Sequence, residues 1–260
     1  MQLDAGQLVD FYESASGQMA RRIIMRRLRP IWPQLAGLRV LGYGFAVPYL
    51  GPFLKEAERV VAAMPAQMGV VAWPAGRPLT ALCEDDALPF ADAMFDRILV
   101  VHGLEGAEAS RALLRQLWRV LAPEGRLAVV APNRTSLWAQ VEASPFACGR
   151  PFHRSELDLL LRDTLFEPLL WDRALYMPPI KGRRLARMGV GWERLLRRFL
   201  PGIAGVHLVE ASKSLYGTVA PQKRKRAEAT LAGARASFGR YSRDTRLKDC
   251  FTGRISPMRP

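Results

Sequence analysis

A chain of 260 residues, 49% of them apolar, suits one α/β domain with additions and can bury a sizeable core. Its three cysteines, Cys83, Cys148 and Cys250, are odd in number and far apart, which excludes a disulfide framework and a zinc site and fits a reducing cytoplasm. The net charge of +14 is local: residues 1–180 carry 19 residues of each sign, whereas 181–198 hold 7 basic and 1 acidic and 221–260 hold 11 basic and 3 acidic.

The first 22 residues have no apolar run behind positive charge, and Asp4, Asp10 and Glu13 interrupt them, so no ordinary secretory signal is expected. Leu8, Phe11, Tyr12, Met19, Ile23 and Leu28 recur at helical spacing, which predicts one amphipathic helix over 6–29 before Pro30. A short strand at Leu38 to Leu41 runs into Gly42-Tyr43-Gly44, and a second, Arg59 to Met64, stops at Pro65. Prolines and glycines over 65–78 exclude a regular helix there. The uncharged stretches Val40 to Leu54 and Val60 to Gly76 carry such breakers too and fall short of a membrane span.

A third strand, Leu79 to Cys83, leads into Glu84-Asp85-Asp86-Ala87-Leu88-Pro89-Phe90. The fourth, Phe95 to His102, is a near-continuous apolar run, as expected of a strand buried on both faces. A helix over 107–122 ends before a turn at Pro123-Glu124-Gly125, and a fifth strand spans Arg126 to Ala131. This alternation of strand and crossover predicts a doubly wound, mostly parallel sheet. Arg154 to Arg162 reads as a helix, Glu167 to Tyr176 and Val206 to Leu215 as late strands, and Gly182 to Leu200 as a basic amphipathic helix. Residues 221–260 have few large apolar side chains and are expected to be disordered or loosely helical. The expected division is a helical cap over 1–35, a domain over 36–220 with a basic helical insertion near 181–200, and a basic tail over 221–260.

Three segments in this order resemble class I, Rossmann-like S-adenosylmethionine methyltransferases of the small-molecule type. They are Glu84 to Phe90 followed by Phe95-Asp96, the strand ending at His102, and Leu114 to Leu127 with its Arg119-Val120-Leu121-Ala122-Pro123-Glu124-Gly125 core. Acidic-Leu-Pro-Phe and Arg-Val-Leu-x-Pro-x-Gly together are specific where either alone is weak. The resemblance covers residues 36–135 and implies a seven-stranded sheet with flanking helices and S-adenosylmethionine as cofactor. Ligands of such sheets bind beyond the carboxyl ends of the strands. The resemblance implies that the turn at Gly42, Tyr43 and Gly44 approaches the cofactor's methionine and ribose. It further implies that Glu84, with Asp85 and Leu88 beside it, meets the adenine.

The chain departs from the family pattern twice. Gly42 stands where the first motif has an acid, and Ala46 and Pro48 replace later glycines. Met64-Pro65 stands where a carboxylate normally grips the ribose. That missing acid also argues against a nicotinamide dehydrogenase. His102, at the end of the fourth strand, is the candidate catalytic base, against the alternative of a strand-capping histidine. Tyr12 folds over the cofactor or packs in the core, and His153 and Tyr176 are further substrate-side candidates. No metal site is expected. Three functions stay open: a cytoplasmic methyltransferase acting on a small molecule, a non-catalytic methyltransferase-like binding protein, and an RNA-directed enzyme steered by its basic tail. That basic third suits nucleic acid, an anionic surface or an acidic partner.

Overall fold

The computed structural model describes residues 4–141, 144–177, 193, 197 and 201–214. The basic helix expected over 182–200 lies outside them apart from Glu193 and Arg197, as does the tail over 221–260.

The N-terminal region forms two helices, α1 (Ala5–Glu13) and α2 (Ala15–Leu28), rather than one. Asp4 caps α1, accepting from Gly6 N at 2.8 Å. Ser14 then breaks the run: its Oγ accepts from Gly17 N at 3.1 Å and donates to the Phe11 carbonyl at 2.6 Å. Gly17 permits the bend, because a Cβ there would lie 1.9 Å from the Phe11 oxygen. Helical periodicity is unaffected by such a break, so it could not reveal it.

Strands β1 (Arg39–Gly44), β2 (Arg59–Pro65), β3 (Thr80–Cys83), β4 (Phe95–Val101), β5 (Leu121–Pro132), β6 (Phe166–Ala174) and β7 (Val206–Lys213) form one sheet ordered β3-β2-β1-β4-β5-β7-β6. The first five are parallel, while β7 runs antiparallel to both β5 and β6. This is the expected seven-stranded, doubly wound sheet. Proline 65 is the last residue of β2 rather than its stop, and Pro123-Glu124-Gly125 lies within β5 rather than forming a separate turn. The start of β5 accommodates it through an irregularity in the β4 pairing between Phe95 and Arg97.

Helices cover both faces. The short α3 (Val47–Leu50) joins α1 and α2 against Val40, Leu99, Val101 and Leu208. On the other face, α4 (Ser110–Val120) and α5 (Arg154–Asp163) pack on Leu41, Ile98, Val100 and Val209. Consecutive β4 residues thus enter opposite cores, which is why that strand reads as a continuous apolar run.

The two motif segments are physically one structure. From α4, Arg119 donates to the carbonyls of Leu88 and Phe90, each at 2.8 Å, and to Asp92 at 2.7 Å. Phe90 meets Phe95 edge to face at 5.1 Å. Asp96 accepts from Arg39 Nε at 3.0 Å and from Arg39 N at 2.9 Å, tying the amino ends of β1 and β4. The second half of the loop after β3 is therefore held against α4 and β4.

Candidate active site

The carboxyl ends of β1 and β4 meet beneath α1. Gly44 closes β1 at φ +75°, where a Cβ would come within 2.4 Å of the Val101 oxygen. Only glycine permits that approach. Phe45, next in the chain, stacks on Tyr12 of α1 with centroids 5.8 Å apart. The Tyr12 hydroxyl lies 3.0 Å from Tyr49 Oη and 3.0 Å from His102 Nε2. The sequence candidates Tyr12 and His102 are thus direct neighbours.

His102 follows β4 at φ +51° and is buried. Its Nδ1 lies 3.2 Å from Glu105 Oε1, and Glu105 is itself 3% exposed. The carboxylate behind Nδ1 selects the tautomer whose Nε2 accepts a proton, so the lone pair points at the Tyr12 hydroxyl. Glu105 Oε2 has no hydrogen-bond partner among the described residues. Phe146, 4.8 Å from the imidazole centroid, and Trp138 complete the walls. Burial, followed by the neighbouring Tyr49, holds the Tyr12 phenol well above its ordinary pKa, so it stays neutral.

The remaining candidates sit around this core. A Cβ on Gly42 would lie 2.6 Å from Leu50 Cδ1, so the position facing the missing acid is filled by packing. The Tyr43 hydroxyl donates to Asp85, and burial first, then that carboxylate, raises its pKa. Glu84 is exposed at the carboxyl end of β3, while Leu88 is in the core beneath α4. Tyr176 is buried after β6, its N–H donating to Glu193 at 2.9 Å. His153 precedes α5 and lines a separate cleft. Sequence reasoning missed Glu105, although an acid three residues after a strand-ending histidine is a readable signal. It also missed Tyr49 and Phe146, which belong to the cluster through the fold alone.

The fit to S-adenosylmethionine differs along its length. At the adenine end the exposed Glu84 carboxylate suits an exocyclic amine. The ribose end offers Pro65, Ala66 and Gln67 in place of a carboxylate. The turn that the resemblance assigns to the methionine end has its residues 42–46 buried, under Leu50 and Tyr12. Among the described residues no group of three or more His, Cys, Asp or Glu is disposed to hold a metal. None of the described helices is long and apolar enough to cross a membrane.

This sheet order, with its antiparallel β7, is the class I methyltransferase fold. Residues 42–129 match the family model described as a methyltransferase domain. Over 69 residues it is 44% identical to a demethylmenaquinone methyltransferase of Beutenbergia cavernae, a match spanning 26% of this chain and 28% of that enzyme. Over 76% of its length it is 25% identical to an uncharacterised Escherichia coli protein, YafS, of which it spans 77%. Among solved structures it is similar to the [4+2]-cyclase SpnF (TM-score 0.57, 18% identity, 77% of this chain and 83% of that one). It is also similar to an S-adenosylmethionine-dependent methyltransferase of Aquifex aeolicus (TM-score 0.55, 14% identity, 81% and 98%).

Proposed function

We propose that the protein transfers a methyl group from S-adenosylmethionine to a protonated nucleophile, such as a hydroxyl, on a small molecule, with His102 as the base. The observation that carries this is the line Glu105–His102–Tyr12 at the carboxyl end of β4. The Tyr12 hydroxyl stands on Nε2 at 3.0 Å, the position that an acceptor hydroxyl would take. His102 then removes the acceptor's proton, and Glu105 steadies the resulting imidazolium. The cofactor, when bound, supplies an electrophilic methyl on a sulfonium. Glu84 receives its adenine amine, and the turn at Gly42, Tyr43 and Gly44 lies along its methionine end. Entry requires α1 to swing away with Tyr12, and the break at Ser14 is the natural pivot.

Calorimetric titration with S-adenosylmethionine and S-adenosylhomocysteine tests this reading. Binding is expected, and Glu84→Ala should weaken it by about fivefold to tenfold through loss of one charge-assisted hydrogen bond. No heat at millimolar ligand would overturn it. The relative named above makes demethylmenaquinone the first acceptor to assay. With a working acceptor, His102→Ala should slow turnover by roughly 10²- to 10³-fold while leaving cofactor affinity intact.

A second reading is a domain that keeps the fold without methyl transfer. Gly42 and Pro65 in place of two carboxylates, and the buried first turn, favour it. The same titration separates the two. The cytoplasm is the setting in either case. Steering of the chain by its basic residues 221–260 toward RNA or another anionic partner is a separate element of the proposal. Comparing RNA binding of the full chain and of residues 1–220 across a salt series checks it, and equal affinity would remove it.

A further inference from the structure

Farther along the same sheet edge, an open cleft of about 650 Å³ lies between the end of β5, the start of α5, the end of β6 and the start of β7. Its wall is locked internally. Asn133 donates to the Ala204 carbonyl at 2.8 Å, and its Oδ1 accepts from Thr135 Oγ1 at 3.0 Å. Those groups hold the backbone rather than wait for a ligand. Around them stand His153, Arg154, Arg173 and His207.

His207 is the anomaly. Its ring lines the cleft and is 3% exposed, yet neither Nδ1 nor Nε2 makes a hydrogen bond of good geometry. The Phe152 backbone acts on the ring from close by. A buried imidazole without a hydrogen-bond partner is costly, and such a cost calls for an explanation. Beside it lies the amino end of α5, a ten-residue helix whose first turn carries a capping box between His153 and Glu156, with the Glu156 carboxylate paired by Arg134 and Arg150. Arg154 Cζ lies over the Trp171 ring, 4.9 Å from its centroid, at the rim of the cleft. Asp158, the acid in the lining, is engaged by Arg162 at 2.9 Å.

From this convergence we infer that the cleft is a binding site for the phosphate group of a small molecule, received by His207, Arg154, Arg173 and the amino end of α5. The phosphate supplies the acceptor atoms that the imidazole lacks, and the donors surround it from three elements. The inference stands whether or not the domain transfers methyl groups, because none of these residues touches the His102 cluster among the described interactions.

The probe is inorganic phosphate, followed by the His207 imidazole resonances in the full chain at constant ionic strength, with acetate as the carboxylate arm. Saturable shifts of His207 with phosphate are expected, at least several-fold tighter than with acetate. Arg173→Met should weaken phosphate binding about tenfold or more. Arg154→Met, which alters an exposed side chain, should weaken it without disturbing the fold. The inference is overturned if His207 does not move up to 20 mM phosphate (about the range expected of a lone group). Equal shifts with acetate would replace phosphate by a general anion and overturn the class named here. Equal affinity in both arginine variants would likewise sink it. Failure to bind S-adenosylmethionine would leave these outcomes untouched.

Discussion

At the ends of β1 and β4 the chain buries Tyr12, Phe45, Tyr49 and His102 against one another, whereas at the ends of β5 and β6 it leaves His153, Arg154 and Arg173 around an open cleft. Both regions use histidine, and the two histidines differ in company. His102 has Glu105 on one nitrogen and a phenol on the other. His207 has arginines nearby and no aligned partner on either nitrogen. A polar group satisfied by its own chain is stable when closed, so the proposed methyl transfer requires the first region to open. A polar group left unsatisfied is already arranged for something to arrive.

The largest expected effect falls on the closed region. Gly44→Ala places a Cβ 2.4 Å from the Val101 oxygen on a backbone at φ +75°, and should cost about 3 kcal/mol or more. Urea denaturation measures it. A loss below about 1 kcal/mol would mean that β1 and β4 separate easily, which would erase the contrast between the regions.

The next effect belongs to the open region. Burial first, then Arg173 and Arg154, lower the His207 pKa from 6.5 to about 4. The folded state therefore keeps the ring neutral while the unfolded chain takes up a proton. Stability is full above the unfolded value and falls as the pH drops from about 6.5 toward 4, by roughly 3 kcal/mol at most. His207→Phe should flatten that limb in phosphate-free buffer. An unchanged acid limb would show that another group carries it.

Smaller still is Tyr12→Phe, which removes one hydroxyl from both Tyr49 and His102 and should cost about 1–2 kcal/mol. It sharpens the comparison, because it leaves His102 Nε2 unpartnered and brings the first region nearer to the condition of the second. If thermal melts of the variant and the parent coincide, the hydroxyl is not holding α1 down.

The sheet was legible because its strands are buried on both faces or flanked by clear turns, and local sequence records that. The Leu-Pro-Phe and Arg-Val-Leu segments were legible as a pair because Arg119 physically clasps Leu88 and Phe90. The break at Ser14 was hidden, since apolar spacing continues through it. The encounter of Tyr12 with His102 was not readable either, because 90 positions separate them and only packing of α1 across the sheet joins them. His207 gave no signal at all. An isolated histidine in an apolar strand looks like core, and only the absence of a partner around its ring distinguishes it.

The placement of β7 bears on how the chain is made. Among the described residues β6 pairs only with β7, and β7 is last in sequence though it lies between β5 and β6. While the chain emerges during synthesis, Phe166–Ala174 has no strand to join until residues 206–213 have followed it out. Until then β5 presents an open edge, and β6 is an unpaired strand. The interval between the emergence of β6 and that of β7 is thus the moment of greatest exposure to misassembly. The cleft lined by His207 comes into existence only with that final insertion.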